Sequence, residues 1–169
     1  MNSPPEIRYS LVIPAYNEEH RIAPLFDSLY GFEGELIVVC DGVDGTADIV
    51  DRIASRRPDL NIRCLRFEDR LGKGGGVIAG LAAARSLFVG YVDADGSTSI
   101  DEMKRLFGSL ATADGAIGSR WIPGSKLKVR QGILRQFESR AFNLLIRVLF
   151  GLTYHDTQCG AKVFKKSAI

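Results

Sequence analysis

The stretch SLFVGYVDADGSTS, residues 86 to 99, joins an apolar run to two aspartates and then to the start of a helix. The run before Asp93 and Asp95 is rich in strand-forming side chains. Alternate residues of an extended segment point to the same side, so each carboxylate makes ionisation of the other more costly. A cation beside the two aspartates would remove that cost.

The end of the same stretch predicts a helix. Ser99 and Glu102 have the spacing of a capping box, in which each side chain binds the backbone N–H of the other residue. An apolar face follows at the spacing of a helix, formed by Met103, Leu106, Phe107 and Leu110. The stretch therefore predicts a strand, an acidic loop and a helix in succession.

The rest of the chain repeats this alternation. A second helix is predicted to open at Thr46, with Ile49, Val50, Ile53 and Ala54 facing inward. Four more short apolar runs are predicted strands: residues 9–13, 35–40, 61–67 and 115–119. Strands that alternate with helices predict the α/β class, with a parallel sheet built from βα units. The length of 169 residues suits one domain.

The composition narrows the class of protein. A hydrophobic share of 46% with 25% charged residues is ordinary for a globular protein. No run reaches the roughly 18 apolar residues of a membrane span, and the first ten residues lack a signal-peptide pattern. The three cysteines are widely separated, without the spacing of a zinc site or a disulfide framework, which favours a reducing compartment.

The charge is distributed unevenly along the chain. Residues 1–119 carry 12 Lys and Arg against 18 Asp and Glu, a net −6, whereas residues 120–169 carry 10 against 2, a net +8. The basic end predicts an anionic partner.

Polar loops follow the predicted strands, at the edge of a parallel sheet where ligands bind. They are PAYNEE (14–19), DGVDGT (41–46), EDRLGKGGG (68–76), DADGST (93–98) and SRW (119–121). PAYNEE could hold a nucleotide base or simply start a helix capped by Asn17. DGVDGT is a turn by composition, and only its place at this edge draws attention to Asp41.

Two familiar sites can be excluded. A calcium loop that began at Asp93 would have Thr98 at its sixth position and Lys104 at its twelfth, so it is not an EF-hand. A divalent ion held by one or two carboxylates, phosphate oxygens and water is compatible with Asp93 and Asp95, and so is a simple turn.

The glycine-rich segment RLGKGGG does not match the P-loop pattern, because Phe67 stands in place of the first glycine and Gly74 in place of the Ser or Thr. It could approach a phosphate, with Lys73 as a mobile cation, or form a flexible turn.

Taken in order, the motifs VIPAYNEE, VVCDGVDGT, LGKGG, VDADGST, GSR and DTQCGAKVF resemble those of family-two glycosyltransferases of the GT-A fold. The GKGG, DADG and last motifs are most similar to those of dolichyl-phosphate β-glucosyltransferases, with dolichyl-phosphate mannose synthases next. The resemblance implies a Rossmann-like, three-layer fold with a mostly parallel central sheet and helices on both faces. It also implies that residues 1–169 are a single catalytic domain, which we expect to lack C-terminal acceptor or membrane-anchoring sequence.

The same resemblance implies the donor site. Asp93 and Asp95 would bind Mg²⁺ or Mn²⁺, and Arg120 and Lys73 would add positive charge at the leaving group. The nucleotide-sugar would contact Pro14, Tyr16, Glu18, Asp41, Lys73, Asp93, Ala94, Asp95 and Arg120. The sequence departs from the family at Cys40, where an aspartate is common, and at Ser97, where mannose synthases often have glutamine.

The implied reaction is inverting transfer of a hexose to a polyprenyl (dolichyl) phosphate. Glucose from UDP-glucose is the first choice and GDP-mannose the alternative, with no nucleic acid among the partners. Asp156 matches the place of a catalytic base, although a phosphate acceptor is already ionised, so Asp156 could instead position the acceptor. The reaction would take place at the cytoplasmic face of a membrane, with the protein peripheral and cytoplasmic.

The basic end leaves its own alternatives open. Residues 131–150 have the spacing of a helix, either a core helix or one that lies on an anionic membrane surface. Residues 125–130 are either a solvated loop or a contact for the acceptor phosphate. Two rival functions are a sugar-1-phosphate nucleotidyltransferase, which would want a glycine-rich, basic first loop, and a module that binds nucleotide-sugar or membrane without turnover.

Overall fold

The computed structural model describes residues 8–119 and 159–169. In this part of the chain the order of elements is β1 (Tyr9–Ala15), α1 (Ile22–Ser28), β2 (Gly34–Cys40), α2 (Thr46–Arg56), β3 (Asn61–Arg66), α3 (Gly72–Ala83), β4 (Phe88–Val92), α4 (Ile100–Ser109), β5 (Gly115–Ile117), β6 (Ala161–Lys165) and a short 3₁₀ turn, Lys166–Ala168. The five strands predicted from the sequence are all present, as are the helices predicted from Thr46 and Ser99.

The strands form one sheet in the order β3-β2-β1-β4-β6-β5. Strands β1 to β4 are parallel, and β6 lies antiparallel to both of its neighbours, β4 and β5. The last strand, β6, was not predicted, because alternating lysines and apolar residues in AKVFK form only a short, weak pattern. It separates β4 from β5, which consecutive βα units would have placed side by side.

Helices cover both faces of the sheet, so the predicted three-layer architecture is confirmed. Apolar residues of α1, α2 and α4 fill the larger core, including Phe26, Val50 and Met103. Helix α3 covers the other face, where Val12 and Val39 are buried. Strands β1 and β2 are buried almost continuously, as expected for parallel strands with both faces covered.

Helix α3 begins inside the glycine cluster, so the interpretation of GKGGG as a flexible turn is wrong. Glycine is a poor helix former, but here it permits close packing on the sheet. A Cβ atom at Gly80 would stand 2.9 Å from Cγ2 of Val12 and would overlap its other methyl group. The first residues of α3 are held from outside, because Oδ2 of Asp41 accepts hydrogen bonds from the N–H groups of Leu71 (2.9 Å) and Gly72 (2.8 Å).

A second polar cluster lies at the opposite edge of the sheet, where the parallel strands begin. Glu35 is fully buried and accepts hydrogen bonds from the Ser10 hydroxyl (2.7 Å), the Arg85 N–H (2.7 Å) and Nη1 of Arg63 (2.9 Å). Burial raises the pKa of Glu35, but these hydrogen bonds outweigh it and hold the pKa below its ordinary value of 4.5. The buried charge is therefore fully compensated within the fold.

Among the described residues, no helix has both the length and the apolar character needed to cross a bilayer.

Glu35→Ala should lower the free energy of unfolding by about 3 kcal/mol at pH 7, because it leaves Arg63 and two donors without their acceptor. The folded-state pKa of Glu35 is depressed, so its contribution is fully present above pH 4.5 and is lost as the pH falls through the folded-state value. Urea unfolding at several pH values would measure both effects. The stability difference between the parent chain and Glu35→Gln should shrink in acid, and a difference independent of pH would contradict the assignment.

Asp41→Ala should lower the free energy of unfolding by about 1–2 kcal/mol, the usual cost of losing a helix cap, because the first N–H groups of α3 lose their acceptor. Asp41→Asn keeps a side-chain oxygen in place and should retain most of that stability. Urea unfolding of the two variants makes the comparison, and equal stability of Asp41→Ala and the parent would contradict the capping role.

Candidate functional site

The loops after β1 and β2 are joined into one unit by hydrogen bonds. Oδ1 of Asn17 accepts from the Val43 N–H (3.0 Å), and the Glu18 N–H donates to the Thr46 hydroxyl (2.8 Å). Of the two alternatives for PAYNEE, a helix capped by Asn17 is not observed: α1 begins only at Ile22 and has no side-chain cap. Asn17 instead adopts a left-handed backbone conformation, φ 53°, that directs its amide to the neighbouring loop.

The predicted base-binding residues lie around this unit. Pro14 is the penultimate residue of β1 and lies beside α3 at Gly76. Tyr16 is 42% exposed, and the Arg70 guanidinium lies over its ring at 4.2 Å from the centroid. The Glu18 carboxylate pairs with Arg21, whose Nη2 hydrogen-bonds Oε1 at 3.0 Å and lies 2.8 Å from Oε2. The structure thus places a partly exposed aromatic ring and an acid in a loop that is hydrogen-bonded to the loop after β2, where Asp41 lies.

Asp44 reinforces the loop after β2. Burial raises its pKa, but hydrogen bonds from the hydroxyl and N–H of Thr46 and from the Glu19 N–H outweigh this effect, so the pKa of Asp44 is lowered. The carboxylate therefore remains ionised and holds the start of α2 to the loop after β1.

Cys40, where the family often has an aspartate, is a core residue. It is 4% exposed, lies in the larger core and shares a hydrogen bond with the Cys64 thiol, with 3.7 Å between the sulfur atoms. This hydrogen bond and burial raise the pKa of the Cys40 thiol, so it stays neutral. The departure from the family therefore adds a packed thiol next to Asp41 and no charge.

The two aspartates after β4 are arranged differently from each other. Asp93 is 28% exposed in its side chain, and its Oδ1 lies 2.7 Å from Nζ of Lys73. Asp95 is exposed, and its Oδ1 accepts from the Ser97 N–H at 2.9 Å. Ala94 between them is buried, 5% exposed, and belongs to the larger core. Strand β4 ends at Val92 and residues 94–95 form a turn, so a common side for Asp93 and Asp95 stays a prediction.

The positive charge beside Asp93 in this structure is therefore Lys73, supplied by the first turn of α3. Two of the nearby N–H groups, those of Leu71 and Gly72, already donate to Asp41. The glycine-rich segment therefore places the ammonium group of Lys73 at this edge of the sheet, in the first turn of α3. Its side chain is 59% exposed, so it can move.

The carboxylates of Asp93 and Asp95 suit a divalent metal ion. Carboxylate oxygens are the ligands that Mg²⁺ and Mn²⁺ favour, and the Lys73 ammonium already stands where a cation is attracted. The described residues contain no group of three or more His, Cys, Asp or Glu side chains able to hold a metal. Phosphate oxygens and water would have to complete the coordination, as is usual for Mg²⁺ in nucleotide sites.

Several predicted functional residues lie outside the described residues. They are Arg120, Asp156, the basic run at 125–130 and the predicted helix at 131–150. Sequence reasoning did not single out two residues that the structure brings to this edge. Arg70 covers Tyr16, and Gly160 lies against Asp93. Gly160 falls inside the quoted DTQCGAKVF motif, so the motif contained the signal without indicating its role.

Comparison with known proteins shows which proteins this chain is similar to. A dolichyl-phosphate beta-glucosyltransferase of Trichomonas vaginalis is 37% identical over 98% of this chain and 54% of its own length. That of Dictyostelium discoideum is 31% identical over 95% of this chain and 54% of its own. The chain thus spans about half the length of these relatives.

The solved structures agree on the fold. Glucosyl-3-phosphoglycerate synthase from Mycobacterium tuberculosis, in complex with Mn²⁺, uridine diphosphate and glucosyl-3-phosphoglycerate, superposes with a TM-score of 0.67 at 22% identity, covering 96% of this chain and 58% of that one. The family model described as Glycosyl transferase family 2 matches residues 10–169, nearly the whole chain, which therefore belongs to this family.

Proposed function

We propose that the chain is the catalytic domain of a metal-dependent, inverting hexosyltransferase that uses a nucleotide-sugar donor and a polyprenyl phosphate acceptor. The single observation that carries this proposal is the meeting of Asp93 and Lys73, 2.7 Å apart, at the sheet edge where Asp95 also projects. An exposed acid and a mobile ammonium at the end of a parallel strand suit a diphosphate and its metal ion. Glucose is the favoured sugar because the relatives reported above are dolichyl-phosphate beta-glucosyltransferases.

In this proposal the nucleoside lies on the unit formed by the first two loops. Pro14 and Tyr16 offer apolar surface to the base and ribose, while Glu18 and the free oxygen of Asp41 accept hydrogen bonds. Only one oxygen of Asp41 is engaged by α3. The second oxygen can face the base, so Asp41 would both cap α3 and accept a hydrogen bond from the nucleoside.

The diphosphate lies between the start of α3 and the loop after β4. A bound Mg²⁺ or Mn²⁺ would neutralise the diphosphate and stabilise the charge that develops on the leaving group. Asp93 and Asp95 would hold the ion, and Ala94 keeps both on the accessible side. Lys73, displaced from Asp93, can then reach the phosphates. Arg120 would add a second fixed positive charge there.

The transfer itself breaks the bond between the hexose C1 and the diphosphate oxygen and forms a bond from C1 to an acceptor phosphate oxygen. Direct displacement inverts the configuration at C1. The acceptor oxygen is already ionised at neutral pH, so no proton has to be removed from it. Asp156 would then position the acceptor, and it would act as a base only for a hydroxyl acceptor.

The basic residues between 120 and 169 supply the contact with the acceptor and with an anionic membrane surface. Their net charge is +8. Surface cations near an anionic leaflet contribute about 1 kcal/mol each, so a few of them suffice for reversible, peripheral binding. The acceptor is a membrane lipid in this proposal, which makes the cytoplasmic face of a membrane the place of reaction.

The chain incubated with Mn²⁺, polyprenyl phosphate and either UDP-glucose or GDP-mannose should form a glycolipid with the UDP-sugar. Discrimination at a hydrogen-bonded polar edge is large, so one donor should dominate. Radiolabelled product in the lipid phase is the measurement. Transfer from GDP-mannose alone would overturn the choice of glucose, and tight donor binding with no transfer to any lipid phosphate would favour a binding module.

Asp95→Ala should lower Mn²⁺-dependent affinity for UDP roughly a hundredfold, since one preorganised charge contact of this kind is worth about 3 kcal/mol. Its thermal midpoint should stay at the parent value, because Asp95 is exposed at a strand end. The matched control is Asp114→Ala, an exposed acid paired with Lys165 at the far edge of the sheet. Isothermal titration with and without EDTA reports the difference, and equal UDP affinity of the parent chain in both conditions would refute the metal site.

A further inference from the structure

The Asp93 carboxylate lies against Gly160, the residue directly before the adjacent strand β6. Asp93 follows β4 directly, and Gly160 precedes β6 directly, so the two residues continue the antiparallel register in which Val92 pairs with Ala161. The Asp93 N–H donates to the Gly160 carbonyl at 3.0 Å. This backbone hydrogen bond fixes Asp93 and Gly160 relative to each other.

The side chain of Asp93 occupies the space where any other residue at position 160 would place its Cβ atom. That atom would lie 2.5 Å from Cγ and 3.1 Å from Oδ1 of Asp93, and it would overlap Oδ2. Real Cβ atoms do not approach other atoms so closely, so a side chain at position 160 must turn the carboxylate away. Glycine here leaves the carboxylate free to lie over the partner strand while Oδ1 meets Lys73.

We propose that Gly160 is a positioning residue, which holds the Asp93 carboxylate in the orientation that faces Lys73 and the divalent cation. The inference rests on the proposed metal-dependent function and deepens it, since it gives the DTQCGAKVF segment a role at the donor site. Gly160 itself offers no ligand. It acts through Asp93, by a carbonyl that fixes the backbone and by the absence of a side chain.

A substitution at Gly160 should separate cation binding from stability. Asp93 is a short, partly exposed side chain at a strand end, so it can rotate with little cost to the core. The ion pair with Lys73 and the metal contact both depend on that rotamer, and they would be lost together. A purely structural glycine would instead lower stability and leave cation binding in the folded fraction unchanged.

The test compares Gly160→Ala with Gly115→Ala, a glycine of β5, which pairs with the other side of β6. A Cβ atom at Gly115 would lie 2.8 Å from Cδ1 of Phe164, so this control introduces a similar overlap away from Asp93. Isothermal titration of Mn²⁺ and of UDP with Mn²⁺ is the binding measurement, and thermal unfolding is the stability measurement. Gly160→Ala should weaken Mn²⁺-dependent UDP binding at least tenfold with a small change in melting temperature, whereas Gly115→Ala should melt earlier and bind like the parent chain.

A double-mutant cycle identifies the route of the effect. In an Asp93→Ala background the added methyl group at position 160 has no carboxylate to displace, so Gly160→Ala should have no further effect on Mn²⁺-dependent binding. Additive losses would show that Gly160 acts elsewhere and would overturn the proposal. If Asp93→Ala weakens binding and Gly160→Ala does not, the positioning role alone fails. If Asp93→Ala itself leaves Mn²⁺-dependent binding unchanged, the proposed metal site fails and the role of Gly160 falls with it.

Discussion

The ion pair between Asp93 and Lys73 joins the loop after β4 to the start of α3, two segments that lie about twenty residues apart in the sequence. Asp93 ends β4, and Lys73 stands in the first turn of α3, whose preceding N–H groups are held by Asp41 at the end of β2. Asp41, after β2, therefore fixes the start of α3, and Lys73 in the first turn of α3 neutralises Asp93, after β4. Removing Asp41 would loosen the proposed base site and would also loosen the helix start that carries Lys73, the counter-ion of Asp93.

The carboxylates at the two edges of the sheet differ in burial and in their hydrogen-bond partners. At the edge where the strands begin, Glu35 is fully enclosed, and every hydrogen bond it accepts comes from the protein. At the other edge, Asp93 and Asp95 remain partly or fully exposed, and their protein partners are an ammonium group on a flexible stem and one loop N–H. A buried charge whose hydrogen bonds are all made within the protein is costly to unpair, whereas an exposed charge with a displaceable partner can accept a ligand.

The sequence was sufficient for elements whose signals are local. The five predicted strands, the capping box at Ser99 and the inward faces of α2 and α4 depend on short-range periodicity, and the structure contains them. Helix α3 and strand β6 depend on tertiary contacts instead. Glycine-rich α3 is stabilised by the Asp41 cap and by the close approach of Gly80 to Val12, and neither contact can be read from GKGGGVIAG. Strand β6 is defined by pairing on both sides between β4 and β5.

The residues of the candidate donor site were predicted one by one, whereas the contacts between them were not. Periodicity placed Asp93 and Asp95 on one side and required a positive charge nearby, but it could not choose between a metal ion and Lys73. The structure has Lys73 beside Asp93, and the metal ion belongs to the proposed function. The described edge carries several carboxylates against few free cations, so a nucleotide diphosphate that approached alone would be repelled. In the proposed function, a divalent ion bound to the diphosphate would reverse that balance, since it would bring positive charge to Asp93 and free Lys73 for the phosphates. The charge arrangement thus favours a donor that enters together with its metal ion.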